Sequence, residues 1–184
     1  EFVFKKIEME NHLRRAIERQ EFSLVFQPLV TVRSNEIFAL EALLRWNSPE
    51  LGFVSPSELI PVAEDTGLIV PLGMWVFEEA CKSSRLLHDQ GYKDIIIAIN
   101  ISALQFQRDD FITNVTYQIN RYKIPRGNIH LEVTESVVMD DIKRAAARLN
   151  KLRSLGIQIW IDDFGTGYSS LQYLQWLPVD GLKI

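Results

Sequence analysis

Cysteine is nearly missing from this chain: among 184 residues there is one, Cys81. A single thiol builds neither a disulfide framework nor a cysteine-based zinc site. It lies in the apolar helical run MWVFEEACKSSRLL (74–87), where a small core residue is expected. Histidine is also scarce. His12, His88 and His130 are scattered, with no second histidine at ligand spacing, which argues against a histidine-rich metal centre. There is no excess of positive charge: 20 Lys and Arg stand against 24 Asp and Glu, for a net charge of -4. A groove for duplex nucleic acid needs clustered cations and is not expected. No apolar run reaches the roughly 20 residues of a membrane span, and nothing resembles a signal peptide. A cytoplasmic segment is expected, in a parent protein that can be anchored elsewhere.

What is present describes a globular chain, 47% hydrophobic and 24% charged, of a size for one domain or a piece of a larger one. Residues 4–20 are predicted to form an amphipathic connector helix, with Met9, Leu13, Ala16 and Ile17 on one face. Strands over 22–32 and 36–46, separated by Ser34-Asn35, read as a hairpin. Pro49, Gly52 and Pro56 mark a loop. Ser55-Pro56 opens a helix, and a longer helix spans 71–91. From residue 95 strands and helices alternate: strands at 95–102, 128–136, 157–163 and 181–184, helices at 111–123, 141–156 and 168–178. This alternation implies parallel βαβ units, and the Ile- and Val-rich strands fit burial on both faces. A full (β/α)₈ barrel takes about 250 residues, so the fold expected is a TIM-type barrel incomplete at its C-terminal side.

The segment IWIDDFGTG (159–167) runs a strand into two adjacent aspartates and then into glycines. Neighbouring carboxylates repel and Asp is a poor strand residue, so the pair calls for a cation or for a turn. The other strands favour the cation. Each carries a polar group toward its C-terminal end: Glu41 with Arg45, Asn100 with Ser102, Glu132 with Thr134 and Glu135, Asp162 with Asp163, and Lys183. In a parallel barrel those ends meet at one mouth. Three carboxylates and an amide converging there would protonate or hold a hard cation. An all-oxygen donor set indicates Mg²⁺ or Mn²⁺, with Ca²⁺ as a competitor. Two adjacent aspartates could bridge two metals, which suits in-line displacement at phosphorus. Asp163-Phe164-Gly165 matches the kinase DFG triplet, but the kinase catalytic and glycine-rich loops are absent, as is a P-loop.

Glu41-Ala42-Leu43-Leu44-Arg45-Trp46 resembles the motif that names the EAL-domain family of cyclic di-GMP phosphodiesterases. PSELIPVAEDTG (56–67), INIS (99–102), LEVTES (131–136), IDDFGTGYSSL (161–171) and LPVDGLKI (177–184) follow in the family's order. The resemblance covers nearly everything after residue 22. It implies a modified TIM barrel with one antiparallel strand, over 21–184, behind a connector helix at 1–20. It also implies hydrolysis of cyclic di-GMP to linear pGpG.

Carried over by position, Glu41, Asn100, Glu132 and Asp162 resemble ligands of one divalent metal, Mg²⁺ or Mn²⁺. Asp163 resembles a ligand of a second, and Ca²⁺ would be inhibitory. Lys183 resembles the lysine that positions or deprotonates the attacking water, and a lysine beside two dications would have a lowered pKa. Arg45 resembles the phosphate-binding arginine and Gln27 a ligand-contacting glutamine; for Gln27 an ordinary strand polar group is the alternative. Glu135 resembles the glutamate that steadies the loop 164–171, associated in the family with metal binding and dimerisation. In the family an aspartate follows LKI, and later strands supply a further metal-binding glutamate and a glutamine. Those positions lie past Ile184, so the alternatives of a non-catalytic cyclic di-GMP receptor or a dimerisation module stay open. A homodimer and an upstream sensory or diguanylate-cyclase-like domain are the partners the resemblance implies.

Overall fold

The structure is a computed structural model that describes residues 2–139, 141–165 and 174–184, the side chains of 2–6 excepted. The elements are α1 (Phe2–Ala16), β1 (Phe22–Val30), β2 (Ile37–Ser48), β3 (Gly52–Val54), α2 (Pro56–Asp65), α3 (Ile69–Asp89), β4 (Ile96–Ile101), α4 (Ala103–Gln107), α5 (Phe111–Arg121), β5 (Ile129–Thr134), α6 (Glu135–Met139), α7 (Ile142–Ser154), β6 (Gln158–Asp162) and β7 (Gly181–Leu182).

One sheet runs β1-β2-β4-β5-β6-β7, with β3 pairing β2 on the side. Along this path the strands from β2 to β7 pair in parallel and β1 joins antiparallel, as does the short β3 beside β2. This is the barrel-type βα order with one reversed strand. Among the described residues β1 and β7 do not meet, so the sheet is not closed.

The outer faces of the central strands explain why the alternation folds. Ile97, Ile99, Ile101, Ile129, Leu131, Val133, Ile159 and Ile161 are all buried. They pack on Phe77 and Cys81 of α3, Val115 and Ile119 of α5, and Leu149 and Leu152 of α7. Each such side chain contributes about 1.5–3 kcal/mol of burial. Cys81 is buried as expected, and burial pushes its thiol up to about 12, with the charge of Glu78 adding to the shift. A second cluster gathers Leu13, Ala16, Phe22, Trp46, Val54, Leu59 and Leu72. The C-terminal half of α1 is thereby part of the packed unit.

Several boundaries differ from the sequence reading. The helix expected over 4–20 ends at Ala16, because the backbone turns through Gln20 at a φ of 58°. The loop expected around Gly52 contains β3, which pairs Trp46, Asn47 and Ser48 with Val54, Phe53 and Gly52. Two short helices went unpredicted. Ser102, grouped with Asn100 from its spacing, instead caps α4 in a reciprocal capping box with Gln105. Glu135, placed in a strand, begins α6. Gly156 stops α7 as expected, at a φ of 88° that favours glycine, and its carbonyl accepts from the Gly127 amide at 2.8 Å. Of the helix expected over 168–178, residues 168–173 lie outside the described residues.

Candidate active site

Alternate residues of each strand face the concave side of the sheet: Glu41 and Arg45 on β2, Ala98 and Asn100 on β4, His130, Glu132 and Thr134 on β5, Gln158, Trp160 and Asp162 on β6. The register places these in successive rows. Glu41, Ala98, His130 and Gln158 are lateral neighbours; so are Asn100, Glu132, Trp160 and Gly181; Thr134 pairs with Asp162 one row further. Glu41, Glu132 and Asp162 thus stand on three different rows. The stagger of a barrel sheet brings them to a common height.

They meet at Lys183, just past β7. Its Nζ donates to Glu132 Oε2 at 2.7 Å and lies 3.4 Å from both Glu41 Oε2 and Asp162 Oδ2. Asn100 Nδ2 donates to Glu41 Oε1 at 2.9 Å. Five predicted residues are therefore one hydrogen-bonded cluster. The Lys183 backbone is fixed as well: its amide donates to Ile161 O at 2.8 Å and its carbonyl accepts from Phe164 N at 3.0 Å.

The charges respond to this crowding. The Glu132 side chain is only 1% exposed. Burial pushes its carboxyl above the usual range, against the opposing hold of Lys183. Burial alone would lower Lys183, but its hydrogen bond to Glu132 and the field of Glu132, Glu41 and Asp162 prevail and raise it. Lys183 is itself the cation among three carboxylates.

After Asp162 the chain turns sharply. Asp163 adopts a φ of 53°, and its amide donates to Asp162 Oδ1 at 2.9 Å. Asp tolerates this left-handed conformation better than most residues. Glu135, buried at the start of α6, accepts from the Gly165 amide at 3.3 Å, so it holds the first part of the turn. The rest of the predicted loop, 166–171, lies outside the described residues. Gln27 stands opposite Glu41 in the β1–β2 ladder, on the same face and exposed. The Arg45 guanidinium donates to the Leu44 carbonyl at 2.8 Å. Among the described residues no carboxylate pairs with Arg45, which leaves its charge for an anion.

Below the charged cluster is a neutral polar layer that the sequence reading missed. His130 Nε2 and Gln158 Oε1 are 2.5 Å apart, and the His130 ring stacks on Trp160 at 5.2 Å. Burial lowers the His130 pKa, although its hydrogen bond to Gln158 and the charge of Asp180 oppose this. Gly181 makes room for the indole, since a Cβ there would lie 2.7 Å from the Trp160 ring. The signal was available: His130 and Gln158 lie two and four residues before Glu132 and Asp162, on the same strand faces.

As they stand, no three acidic, histidine or cysteine side chains among the described residues gather closely enough to hold an ion. The donor chemistry nonetheless fits a hard divalent cation. Three carboxylates already surround a positive charge, and the Asn100 amide beside Glu41 adds a further oxygen donor, with no sulfur or imidazole among them.

Carboxylates and a lysine gathered on the concave side of an open barrel sheet stand where barrels of the TIM type carry their active sites. Residues 10–184 match the EAL domain, and the chain belongs to the EAL-domain family. It is 46% identical over 179 residues to the signaling protein YkoW of Bacillus subtilis, covering 97% of this chain and 22% of that protein. It is 43% identical over 180 residues to MucR of Pseudomonas aeruginosa, a bifunctional diguanylate cyclase and cyclic di-GMP phosphodiesterase, covering 98% of this chain and 26% of MucR. The chain spans about a quarter of the length of these curated relatives. A solved structure of the MucR phosphodiesterase in complex with cyclic di-GMP superposes with a TM-score of 0.92 at 44% identity, covering 96% of this chain and 72% of that one. The fold is therefore the TIM-like barrel of EAL domains, here with an open sheet.

Proposed function

We propose that this chain is the larger part of a divalent-metal-dependent phosphodiesterase domain that hydrolyses cyclic di-GMP to linear pGpG. The observation that carries the reading is the cluster of Glu41, Glu132 and Asp162 around Lys183, with Asn100 on Glu41, assembled from four strands and the segment just past a fifth. Family membership and the named activity of MucR support it.

In this reading Glu41, Asn100, Glu132 and Asp162 hold one Mg²⁺ or Mn²⁺, with Asp163 serving a second. The bound metals supply charge stabilisation at phosphorus and a water acidic enough to react near neutral pH. Arg45 binds the phosphate with its planar fork, and Gln27 contacts the ligand from the neighbouring strand. Lys183 positions the attacking water. With the three carboxylates engaged by a bound cation, Lys183 would lose the field that raises its pKa and move toward a proton-accepting role. Glu135 steadies the turn after Asp163. Ca²⁺ takes longer and more variable oxygen contacts and would inhibit.

Homodimerisation through the 164–171 region belongs to the same proposal, as does an upstream sensory or diguanylate-cyclase-like domain reached through α1. One observation favours a second reading. With Lys183 satisfying the carboxylates, Arg45 and Gln27 can bind the nucleotide without metal, as a receptor would.

The test is conversion of cyclic di-GMP to pGpG with Mn²⁺ or Mg²⁺, beside an Asp162→Asn control. Turnover that vanishes in the control supports the enzyme. Nucleotide binding without turnover supports the receptor, and neither would refute both.

A further inference from the structure

We propose that Glu21 is a positioning residue that aims Arg45 into the site by clamping the end of β2 from behind. The idea rests on the reading of Arg45 as a ligand-binding residue. Glu21 is a buried carboxylate, 9% exposed, in the segment between α1 and β1, on the far side of the sheet from the carboxylate cluster. Its Oε2 accepts from the indole Nε1 of Trp46 at 2.9 Å, and Trp46 is fully buried. Its carbonyl accepts from Asn47 N at 3.1 Å, and its amide donates to Ala16 O at 3.0 Å. Arg19 is the nearest cation, 3.9 Å away. One residue therefore ties the end of α1 to two consecutive residues of β2.

Those two residues follow Arg45 directly. Successive strand side chains point to opposite faces, so Trp46 is the buried counterpart of Arg45. Trp46 is also the residue shared by two ladders, paired with Phe22 of β1 and Val54 of β3. The Arg45 guanidinium bonds only its neighbour's carbonyl and no carboxylate among the described residues, so its direction follows from the β2 backbone. Burying a carboxylate is costly, and a hydrophobic residue would fill the space more cheaply. Its place here makes sense as a strong acceptor that fixes one indole orientation, and with it the pleat at Arg45.

The test uses Glu21→Ala, Glu21→Gln, which keeps an acceptor, and Trp46→Phe, which keeps an aromatic ring but loses the five-membered ring with its N–H. Two readouts are taken on folded protein: amide hydrogen exchange at residues 44–47 and the Kd for cyclic di-GMP. Glu21→Ala is expected to speed exchange at 44–47 and weaken binding by about tenfold each, from the loss of one buried charge-assisted hydrogen bond. Glu21→Gln should fall between the parent and Glu21→Ala on both, since the amide oxygen still accepts but without the charge. Glu21→Ala and Trp46→Phe should be non-additive when combined. Unchanged exchange in Glu21→Ala overturns the proposal, as do additive losses in the double variant. A parent protein that binds no cyclic di-GMP would sink the functional reading, while the exchange data would still decide whether Glu21 fixes the strand.

Discussion

The two faces of the same strands obey different rules. On the outer face of β4, β5 and β6 stand isoleucine, leucine and valine, packed on three helices. On the inner face stand Asn100, Glu132, Asp162, His130, Gln158 and Trp160, each with its own partner or constraint. The outer face is held by non-directional burial, so one branched aliphatic residue can replace another at modest cost. The inner face depends on direction and charge. Its buried carboxylate, Glu132, costs stability and is held in place by Lys183. The difference locates stability on one side of the sheet and chemistry on the other.

The largest expected effect comes from the inner face. Asp162→Asn or Glu132→Gln should lower turnover by about a hundredfold or more, because each removes a charged ligand from the proposed metal site. Glu132→Gln should also hold or raise the melting temperature of metal-free protein at pH 7. The sign follows from its raised pKa: the folded state favours protonated Glu132 below the unfolded value, and that advantage is lost as pH rises through the folded value. An uncharged isostere escapes the penalty at neutral pH. A clear drop in melting temperature would break the proposed division between the faces.

Next is the outer face. Ile99→Ala, at a fully buried position, should cost about 2–5 kcal/mol in urea unfolding. It should leave the Kd for cyclic di-GMP of the folded fraction unchanged. Gly181→Ala sharpens the inner boundary, since its Cβ would meet the Trp160 ring. A loss of about 1–3 kcal/mol is expected from overpacking, with Trp160 fluorescence reporting the displaced indole. The smallest effect is at Cys81, whose thiol is pushed up to about 12 by burial. It should resist iodoacetamide at pH 8 in folded protein and react on unfolding. Rapid labelling of the native state would show that the outer face opens readily.

The strand and helix alternation was readable because Ile-rich runs bounded by Gly and Pro have few other uses. The ligand candidates were readable because acidic residues at the ends of apolar strands are costly without a purpose. Less visible were α4 and α6, each only five residues long, too short to express a helical period. The strand β3 was masked by its glycine and short length, since pairing with β2 rather than propensity makes it a strand. Glu21 and His130 looked ordinary, because a lone polar residue gains meaning only from what it touches.

By itself the sequence determined the order of elements, the buried faces of the strands and the identity of the polar residues at their ends. These follow from side-chain period and transfer free energy, which are local properties. The tertiary structure decided that Glu41, Glu132 and Asp162, from three register rows, reach one height around Lys183. It also decided that three carboxylates raise this lysine, and that Glu21 reaches across 25 residues to Trp46. Stagger, burial and mutual charge depend on every strand at once, and no stretch of the chain carries them alone.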